Sequence, residues 1–379
     1  MKLRLVVLTV LVGVVTTTAA FAGQFRKPVL YSVGVEPQQV VVADFNNDGK
    51  LDLVAPDFTS LDVSVLLGNG DGTFQPAMKF STTLDPAMVA SGDFNGDGNL
   101  DLAVVEYGLT GQVLQIFLGN GDGTFISGLS QSIPALPYDV TVADFNGDGI
   151  LDLAIACNGA NAVAVLFGNG DGTFQNAVLY AVPLPERVLA ANLNADSHPD
   201  LAVLAYCGRN VKTCTSGAVA VLLNKGNGTF GQPRFFNVKG VGPDGIAATD
   251  LNRDNRTDLV VANNNFQGPS VISVLLGNGD GTFQAATTYA VGSGPAGIAV
   301  ADFNRDGKID VAVANTGSSN LSLLYGNGDG TLRPAVNFAF ASGSLPLNAA
   351  AADFNGDLVP DLAVVLDYAN EIAILLNAR

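Results

Sequence analysis

An acidic loop of one design recurs seven times along the chain, and it presents oxygen atoms at a fixed spacing. The first copy reads DFNNDGKLDL, from Asp44 to Leu53, with carboxylate or amide side chains at positions 1, 3, 5 and 9. Gly at position 6 permits a sharp turn, and the main-chain carbonyl at position 7 adds one more oxygen. Oxygen donors at this spacing can wrap a single hard cation, and an all-oxygen set favours Ca²⁺ over zinc or copper. The repeat therefore predicts a series of calcium sites.

The predicted calcium ligands are the residues at positions 1, 3, 5, 7 and 9 of each loop, with position 7 acting through its carbonyl. The first three loops supply Asp44, Asn46, Asp48, Lys50, Asp52, Asp93, Asn95, Asp97, Asn99, Asp101, Asp144, Asn146, Asp148, Ile150 and Asp152. The fourth loop supplies Asn194, Asp196 and Asp200. The last three loops supply Asp250, Asn252, Asp254, Arg256, Asp258, Asp302, Asn304, Asp306, Lys308, Asp310, Asp353, Asn355, Asp357, Val359 and Asp361.

The copies differ in how well they should bind, so we expect about five to seven calcium sites. The fourth loop has Asn192 in place of the first Asp and Ser197 in place of Gly, and we expect weak binding or none there. The fifth loop has Asn255 at the glycine position, and Asn tolerates a left-handed backbone. The seventh loop has Leu358 there, which tolerates that backbone poorly.

The acidic balance of the chain follows from these loops. Of the 35 acidic residues 31 are Asp and four are Glu, and 20 of the Asp residues lie in the seven loops. Asp suits turns and compact oxygen cages, whereas a solvated acidic surface would use both residue types. Metal-free Asx turns that cap strands are the alternative interpretation, but the crowded carboxylates would then repel one another. Magnesium is less expected than calcium, because it demands tight octahedral geometry and keeps its waters.

The segments between the loops predict short β-strands. Each loop leads into an apolar run such as DLVAP at Asp52, and a second run such as VSVLL at Val63–Leu67 follows. A Gly-rich turn, LGNGDGTF at Leu67–Phe74, then precedes two further runs. Apolar runs of about four to eight residues bounded by Gly, Asn and Asp indicate strands. Four such runs per period of about 50 residues describe a propeller blade. The seven loops therefore predict an all-β, seven-bladed β-propeller of four-stranded blades.

The two ends of the chain predict how the ring closes. The seventh repeat stops at IAILLNAR, without a Gly-rich turn and without a strand after it. A matching strand is found at the other end, since Gly23–Val33 resembles Gly72–Thr82, which follows the turn of the first repeat. We therefore expect the N-terminal segment to form the outer strand of the last blade, which removes a free sheet edge. An open solenoid would leave this offset unexplained.

The D-F-N-x-D-G-x-x-D-L loop and the G-N-G-D-G-T-F turn together resemble FG-GAP/VCBS repeats, as in the integrin α-subunit propeller. The resemblance covers roughly residues 24–379. It implies a propeller with calcium cages on β-hairpins, in which the acidic residue at position 9 opens a strand. The motifs are specific for the fold and weakly specific for function, because such propellers serve many roles.

The first 22 residues have the features of a secretory signal peptide. Lys2 and Arg4 precede an apolar run, and Ala20–Ala22 forms an A-x-A cleavage site. The apolar run is too short to span a membrane, which takes about 20 residues, and no later stretch indicates a span. We therefore expect residues 1–22 to be cleaved and residues 23–379 to form the propeller. The protein would then be secreted, periplasmic or held at the cell surface.

The cysteines indicate an oxidising compartment. Cys207 and Cys214 bound a polar loop, CGRNVKTC, and are predicted to form a disulfide bond. Cys157 is left over as a buried thiol. Zinc is not expected, since three Cys and the single His198 show no ligand spacing.

The sequence favours a binding protein over an enzyme or a nucleic-acid-binding protein. The net charge of −17 opposes contact with phosphates, and the G-x-G of the turn lies between two strands and lacks the P-loop Lys. There is no G-x-S-x-G elbow, and we predict no catalytic residue. We interpret the chain as a monomeric extracellular binding or adhesion scaffold for a protein or a glycan. A lectin, or a calcium-dependent polysaccharide lyase, is the alternative interpretation.

A partner-binding site is predicted in the fourth repeat, where the chain departs most from the pattern. The inserted CGRNVKTC segment carries Arg209 and Lys212 and follows Tyr206, and these three residues are the candidates for partner binding. An idle solvated loop is the alternative. Aromatic residues near the equivalent exit of the blades form either a patch for a partner or sugar or covers for strand ends. They are Phe58, Tyr107, Tyr206, Phe266 and Tyr368.

Overall fold

Seven four-stranded antiparallel sheets form a ring around a central channel. The computed structural model describes residues 23–108, 111–207, 216–265 and 269–379, and within these ranges the only helical element is a 3-10 turn at Asn158–Ala160. The innermost strand of each sheet contacts the innermost strands of both neighbouring sheets, and the first and last sheets are joined in the same way. The predicted all-β, seven-bladed propeller is therefore confirmed. In the described ranges no helix has the length and apolar character needed to cross a membrane.

The strands of six blades follow one another in chain order from the channel outward, and the seventh blade combines both ends of the chain. Blade 1 contains β2 (Val41–Ala43), β3 (Asp52–Asp57), β4 (Asp62–Leu66) and β5 (Met78–Ser81). Blade 2 contains β6 (Asp85–Gly92), β7 (Asp101–Gly108), β8 (Gly111–Gly119) and β9 (Phe125–Ser132). Blade 3 contains β10 (Pro137–Ala143), β11 (Asp152–Cys157), β12 (Ala162–Leu166) and β13 (Val178–Ala181). Blade 4 contains β14 (Pro185–Ala191), β15 (Asp200–Ala205), β16 (Ala218–Leu222) and β17 (Arg234–Asn237).

Blade 5 contains β18 (Pro243–Thr249), β19 (Asp258–Asn263), β20 (Val271–Leu275) and β21 (Thr287–Ala290). Blade 6 contains β22 (Pro295–Ala301), β23 (Asp310–Asn315), β24 (Asn320–Leu324) and β25 (Val336–Ala339). Blade 7 contains β26 (Pro346–Ala352), β27 (Asp361–Leu366), β28 (Glu371–Leu375) and β1 (Val29–Ser32).

Burial follows the position of a strand within its blade. The second strand, exemplified by β3 and β11, is buried over its full length because apolar side chains on both of its faces meet neighbouring blades. The innermost strands are half-buried along the channel, and the outermost strands are largely exposed. The apolar core of the described residues consists of seven clusters, each between two adjacent blades. Packing between neighbouring repeats therefore holds the ring together.

The ring closes through the N-terminal strand, as the sequence predicts. Strand β1 pairs antiparallel with β28 over its whole length. Phe25 is 2% exposed and packs edge-on against Phe303 and Phe338, with ring centroids 5.9 and 5.7 Å apart. The N-terminal segment therefore replaces both the outer strand and the Phe of the Gly-rich turn that the last repeat lacks.

A hydrogen-bonded corner fastens the connection that enters blade 6. The side-chain amide of Asn315 donates to Ser322 Oγ at 2.9 Å and to Asn320 Oδ1 at 2.8 Å. Ser322 Oγ also accepts the backbone N–H of Gly292, in the incoming connection, at 3.0 Å. Asn315 and Ser322 are fully buried, so these bonds replace part of the hydrogen bonding to water that the polar groups lose on folding, although the buried Asn315 Oδ1 has no partner among the described residues.

Blade 1 builds the same corner with two carboxyl groups. Asp57, Asp62 and Ser64 stand at the positions of the three blade 6 residues. Ser64 donates to Asp57 Oδ2 at 2.6 Å, whereas the buried Asp57 Oδ1 has no hydrogen-bond partner among the described residues. Burial, assisted by the neighbouring Asp62, raises the pKa of Asp57 to about 7. The Asp57 carboxyl group therefore fits this corner best in its protonated form.

Asp57→Asn should stabilise the protein above pH 7 and have little effect near pH 4. A carboxyl group whose pKa is raised on folding takes up a proton, so its cost is absent below the ordinary pKa of about 4 and complete above the folded pKa. Three pKa units correspond to at most about 4 kcal/mol, and we expect about 1–3 kcal/mol because the Asn amide loses part of the benefit through its own burial. Thermal melting from pH 4 to pH 8 measures the effect.

The reverse exchange in blade 6, Asn315→Asp, is the matched control for this substitution. It should introduce a loss of stability that grows between pH 4 and pH 7. If Asp57→Asn loses stability with rising pH as steeply as the wild type does, the ionisation of Asp57 is not a source of the pH dependence.

Candidate functional site

The Asp at position 9 of every acidic loop is buried, and its carboxylate bridges two turns of its own blade by hydrogen bonds. In blade 2, Asp101 Oδ2 accepts the N–H of Phe94, at position 2 of the loop, at 2.9 Å, and its Oδ1 accepts the N–H of Gly119, in the Gly-rich turn, at 2.8 Å. Equivalent pairs of bonds are made in the other six blades by Asp52, Asp152, Asp200, Asp258, Asp310 and Asp361. Burial raises the pKa of all seven carboxyl groups, to about 6 for Asp310 and Asp361.

Each acidic loop also clasps the next blade. The carbonyl of Phe45, at position 2 of the blade 1 loop, accepts the N–H of Gly123 in the blade 2 turn at 3.2 Å. The Phe45 ring packs edge-on against Phe125 of the same turn, with centroids 5.9 Å apart. Between blades 6 and 7 the donors to the corresponding carbonyl are the side chains of Gln24 and Asn377. The loops are therefore parts of the ring structure as well as candidate ligand sets.

The side chains at positions 1 and 3 converge on one point inside the loop. The N–H of Asp97, at position 5 of the blade 2 loop, donates both to Asp93 Oδ1 at 3.2 Å and to Asn95 Oδ1 at 2.9 Å. Asp93 Oδ2 accepts the N–H of Gly98 at 2.9 Å. The same paired bonds occur in the loops that begin at Asp44, Asp250, Asp302 and Asp353. Five of the seven loops thus bring two side-chain oxygens together.

The third and fourth loops depart from this geometry and the seventh does not. In blade 3, Asp144 Oδ1 accepts the N–H of Gly147 at 2.7 Å, and the N–H of Asp148 donates to Asn146 Oδ1 at 2.9 Å. In blade 4, Asn192 Oδ1 accepts the N–H of Ala195 at 2.8 Å, and among the described residues Ser197 makes no bond to Asn192. In blade 7, the backbone N–H of Leu358, with a φ of 63°, donates to Asp353 Oδ2 at 2.7 Å, as Gly does in four of the other loops. The Leu358 side chain is 84% exposed, so the loop accepts the cost of a left-handed Leu backbone without burying the side chain.

The donor chemistry of the loops fits a hard cation, and calcium binding stays a prediction. Positions 1, 3 and 5 offer carboxylate and amide oxygens, the ligands that calcium prefers. In the described part of the chain no three His, Cys, Asp or Glu side chains are already gathered as a metal site. Basic side chains at position 7 form exposed ion pairs with the Asp at position 5, and the pairs are Lys50–Asp48, Arg256–Asp254 and Lys308–Asp306, at 3.2, 3.8 and 3.4 Å.

Near the start of each innermost strand, a Pro is followed by two residues that face the central channel or its entrance. The Pro residues are Pro37, Pro86, Pro137, Pro185, Pro243, Pro295 and Pro346. The second residue after the Pro lines the channel in all seven blades, as Gln39, Met88, Asp139, Arg187, Gly245, Gly297 and Asn348. The first residue after the Pro lines a cavity of about 200 Å³ in blades 1 to 5, as Gln38, Ala87, Tyr138, Glu186 and Asp244. We call this cavity the channel mouth, and its remaining lining residues are Phe58, Met88, Tyr107 and Arg187.

A β-bulge directs the side chain of the first residue after the Pro towards the channel mouth. In blades 3, 4 and 5 the strand register shifts just after the Pro, so that Tyr138, Glu186 and Asp244 have no residue opposite them. A bulge re-aims a side chain that would otherwise follow the strand alternation. The acidic loops follow the other end of the same strands, so the channel mouth lies on the opposite face of the ring.

Arg187 joins three blades on the charged side of the channel mouth. Its Nε donates to the carbonyl of Asp244 at 2.9 Å, and its terminal nitrogens donate to Asp244 Oδ1 at 3.3 Å and to the carbonyl of Tyr138 at 3.4 Å. Asp139 lies beside it in the channel, and its Oδ2 accepts the N–H of Val188 at 2.9 Å. Burial raises the pKa of Asp139 to about 6 although the Arg187 charge opposes the shift.

Glu186 is the mouth carboxylate that lacks an ion-pair partner among the described residues. Its Oε1 accepts the side-chain amide of Asn158 at 3.1 Å. Burial and then the charge of Asp244 raise the pKa of Glu186 to about 7, and Arg187 offsets this only in part. Burial also raises the pKa of the Tyr107 hydroxyl. The mouth therefore combines an uncompensated carboxyl group with aromatic side chains.

The predicted aromatic patch is partly found at the channel mouth. Phe58 and Tyr107 both line it, with ring centroids 5.4 Å apart and planes tilted by 52°. Tyr206 is half-buried, and its N–H donates to the carbonyl of Leu184 at 3.1 Å. Tyr368 is 66% exposed, and Phe266 lies outside the described residues.

The other predicted partner-binding residues, Arg209 and Lys212, lie outside the described residues, as does Cys214. Cys207 is disulfide-bonded, and its pairing with Cys214 stays a prediction. Cys157 is a free buried thiol, and burial raises its pKa to about 12.

The charged residues of the channel mouth are not among the residues predicted from sequence. In every copy of the repeat a Pro is followed, three positions later, by Val, Ile or Ala. The two intervening positions change between charged, aromatic, amide and small side chains, and they include Glu186, Arg187 and Asp244. Variation confined to two positions of a regular repeat is the signal that could have identified these residues.

Comparison with known proteins identifies the repeat. The FG-GAP-like repeat family matches six overlapping segments, each starting at the first residue of an acidic loop: residues 44–104, 93–155, 144–203, 192–261, 250–313 and 302–364. No curated protein matches the chain.

Solved structures with the same architecture come from proteins of different kinds. One describes specific recognition of non-reducing terminal N-acetylglucosamine by an Agrocybe aegerita lectin, with a TM-score of 0.57 and 20% identity over 91% of this chain and 96% of that chain. BBS1N in complex with ARL6DN has a TM-score of 0.64 and 12% identity over 94% of this chain and 97% of that chain. A functionally unknown protein from Desulfotomaculum acetoxidans DSM 771 has a TM-score of 0.54 and 14% identity over 88% of this chain and 90% of that chain. At these identities the similarities show the fold alone.

The matched segments together span residues 44–364, which is most of the chain. The chain belongs to the FG-GAP-like repeat family, and it folds as a seven-bladed β-propeller.

Proposed function

We propose that this chain is a calcium-stabilised binding propeller that acts outside the cytoplasm and presents its channel mouth to a protein or glycan partner. One observation carries the proposal. The repeated positions of the acidic loops and Gly-rich turns are bonded within the ring, whereas the two positions that differ from blade to blade line a single channel and its mouth. Repetition therefore serves the fold, and variation supplies a place for recognition.

The side chains at the channel mouth suit binding better than catalysis. Asp244 is held by Arg187, and Asp139 accepts a backbone N–H. The rings of Phe58 and Tyr107 offer an apolar surface beside these charges. Aromatic anchors next to a few polar groups are typical of recognition sites.

Calcium in this proposal is a structural ion of the opposite face. The residues at positions 1, 3 and 5 of the loops would hold it, with the carbonyl at position 7. Bound calcium would neutralise the crowded carboxylates and fix the loops that clasp each blade to the next. The convergence of Asp93 and Asn95 oxygens on one amide supports this assignment.

The similarity to the Agrocybe aegerita lectin favours a glycan as the first class of partner to test. Binding of the full chain to a glycan array in millimolar calcium would be compared with that of a Tyr138→Ala, Glu186→Gln double variant. We expect the array signals of this variant to be about tenfold lower than those of the wild type, because the variant removes one ring and one charge from the mouth. Asp171→Asn, which changes an exposed turn on the opposite face, should bind as the wild type does. Signals that are equal in the double variant would contradict a binding role for the channel mouth.

A further inference from the structure

We infer that the channel mouth binds a cationic group, namely an ammonium or guanidinium group carried on a slender chain. This inference rests on the proposed role of the mouth in binding, and it specifies the charge of the ligand. The inference follows from the balance of charge in the cavity, from the rings beside the charges and from the size of the space.

Negative charge exceeds positive charge around the channel mouth. Two carboxyl groups, those of Glu186 and Asp244, line the mouth with one guanidinium group, that of Arg187, and a third carboxyl group, that of Asp139, lines the channel next to it. Arg187 forms its ion pair with Asp244 at 3.3 Å, which leaves Glu186 without an ion-pair partner among the described residues. A cation beside Glu186 would relieve its repulsion with Asp244, whereas an anion would increase the repulsion and a neutral group would leave it unchanged.

Aromatic rings line the mouth beside these carboxyl groups. Phe58 and Tyr107 form a tilted pair, and Tyr138 lies next to Glu186 in the adjoining blade. The faces of aromatic rings carry partial negative charge and attract ammonium and guanidinium groups, most strongly where water is excluded. The rings also offer an apolar surface to the carbon chain behind such a group.

The cavity favours a slender organic cation over a metal ion. Its volume of about 200 Å³ equals that of roughly six or seven water molecules at about 30 Å³ each, which suits a chain of a few methylene groups. In the described ranges no three acidic, His or Cys side chains are gathered as a metal site. The Arg187 guanidinium, held between Asp244 and Tyr138, would repel a divalent ion about twice as strongly as a singly charged ammonium or guanidinium group.

A titration of the full chain with small probes of matched shape tests the inference. Ligand-observed NMR at pH 8 in millimolar calcium would compare n-butylammonium and n-butylguanidinium with neutral 1-butanol and anionic butanoate. We expect both cations to bind at least about tenfold more tightly than 1-butanol, and butanoate to bind more weakly still. Glu186→Gln should weaken the cations about tenfold without changing the affinity for 1-butanol. Tyr138→Leu, which keeps the charge and removes the ring, should also weaken the cations.

Asp171→Asn removes one negative charge from the opposite face and serves as the matched control, since it should bind all four probes as the wild type does. Equal affinity for n-butylammonium and 1-butanol would overturn the inference and keep the channel mouth as a binding site. A cation affinity that Glu186→Gln leaves unchanged in a folded variant would place the cation elsewhere and overturn it as well. If no probe saturates, and if the glycan signals of the wild type and the Tyr138→Ala, Glu186→Gln variant are equal, the proposed function is overturned as well.

Discussion

Removal of calcium should lower the melting temperature of the protein by about 10 °C, and added Ca²⁺ should restore it. Five loops bring two side-chain oxygens to one point. At ten times its dissociation constant, a calcium ion stabilises the folded state by about 1.4 kcal/mol per site. Five sites would contribute about 7 kcal/mol, which is comparable with the whole stability of a typical domain, about 5–15 kcal/mol. A stability change of this size corresponds to a large shift in melting temperature.

Thermal unfolding followed by circular dichroism, in EDTA and in millimolar calcium, measures this effect. Asp97→Asn changes an exposed position-5 carboxylate of the blade 2 loop, and it should remove about one site's share of the calcium effect. In EDTA it should melt with the wild type or slightly above it, because one repelling charge is gone. Identical wild-type melting curves in EDTA and in calcium would refute the calcium proposal.

Asp101→Asn, four residues further along the same loop, should destabilise the protein by about 2–4 kcal/mol in EDTA as well as in calcium. The Asp101 carboxylate is fully buried and accepts two backbone N–H groups, from Phe94 and Gly119. An Asn side chain has one oxygen, so its NH₂ group would face one of these N–H groups. A hydrogen bond to a charged group contributes about 1.5–3 kcal/mol, and a buried N–H left without an acceptor costs about 1–3 kcal/mol. The lower cost of burying an uncharged side chain offsets part of this loss.

The comparison between these two variants separates two roles for the acidic residues of one loop. A residue that acts only as a calcium ligand affects the melting temperature only when calcium is present. A residue that accepts backbone hydrogen bonds affects it in both buffers. If Asp101→Asn melts with the wild type in EDTA, the two backbone bonds are not a source of stability. Hydrogen exchange would add spatial detail, since the amides of Phe94 and Gly119 should lose protection first in Asp101→Asn.

The fold could be predicted from sequence because every level of the pattern gives the same answer. The period of about 50 residues, the four apolar runs and the Gly-rich turns all describe a blade. The offset between Gly23–Val33 and the last repeat predicts the closure that β1 and β28 make. These features are local, so they are visible in the order of the residues.

The candidate site was harder to predict, because its geometry depends on partners from distant parts of the chain. Position 9 is an acidic residue in every loop, but that both of its oxygens are used by backbone amides is a property of the folded blade. Leu disfavours a left-handed backbone, so the residue type gives no reason to expect the φ of 63° at Leu358 or its bond to Asp353. Glu186, Arg187 and Asp244 come from two blades, and the strand bulges together with the packing of blade 4 against blade 5 bring them into one cavity.

The pairing of the two chain ends has a consequence for display at a surface. Gln24 and Asn377 lie together at the boundary of blades 6 and 7, on the face of the acidic loops, where Ala378 N–H donates to the carbonyl of Gln24 at 2.8 Å. Any segment that continues directly from Gln24 or Ala378 would therefore leave from that face. The face that carries the acidic loops would then lie towards the point of attachment, and the channel mouth, on the opposite face, would point away from it.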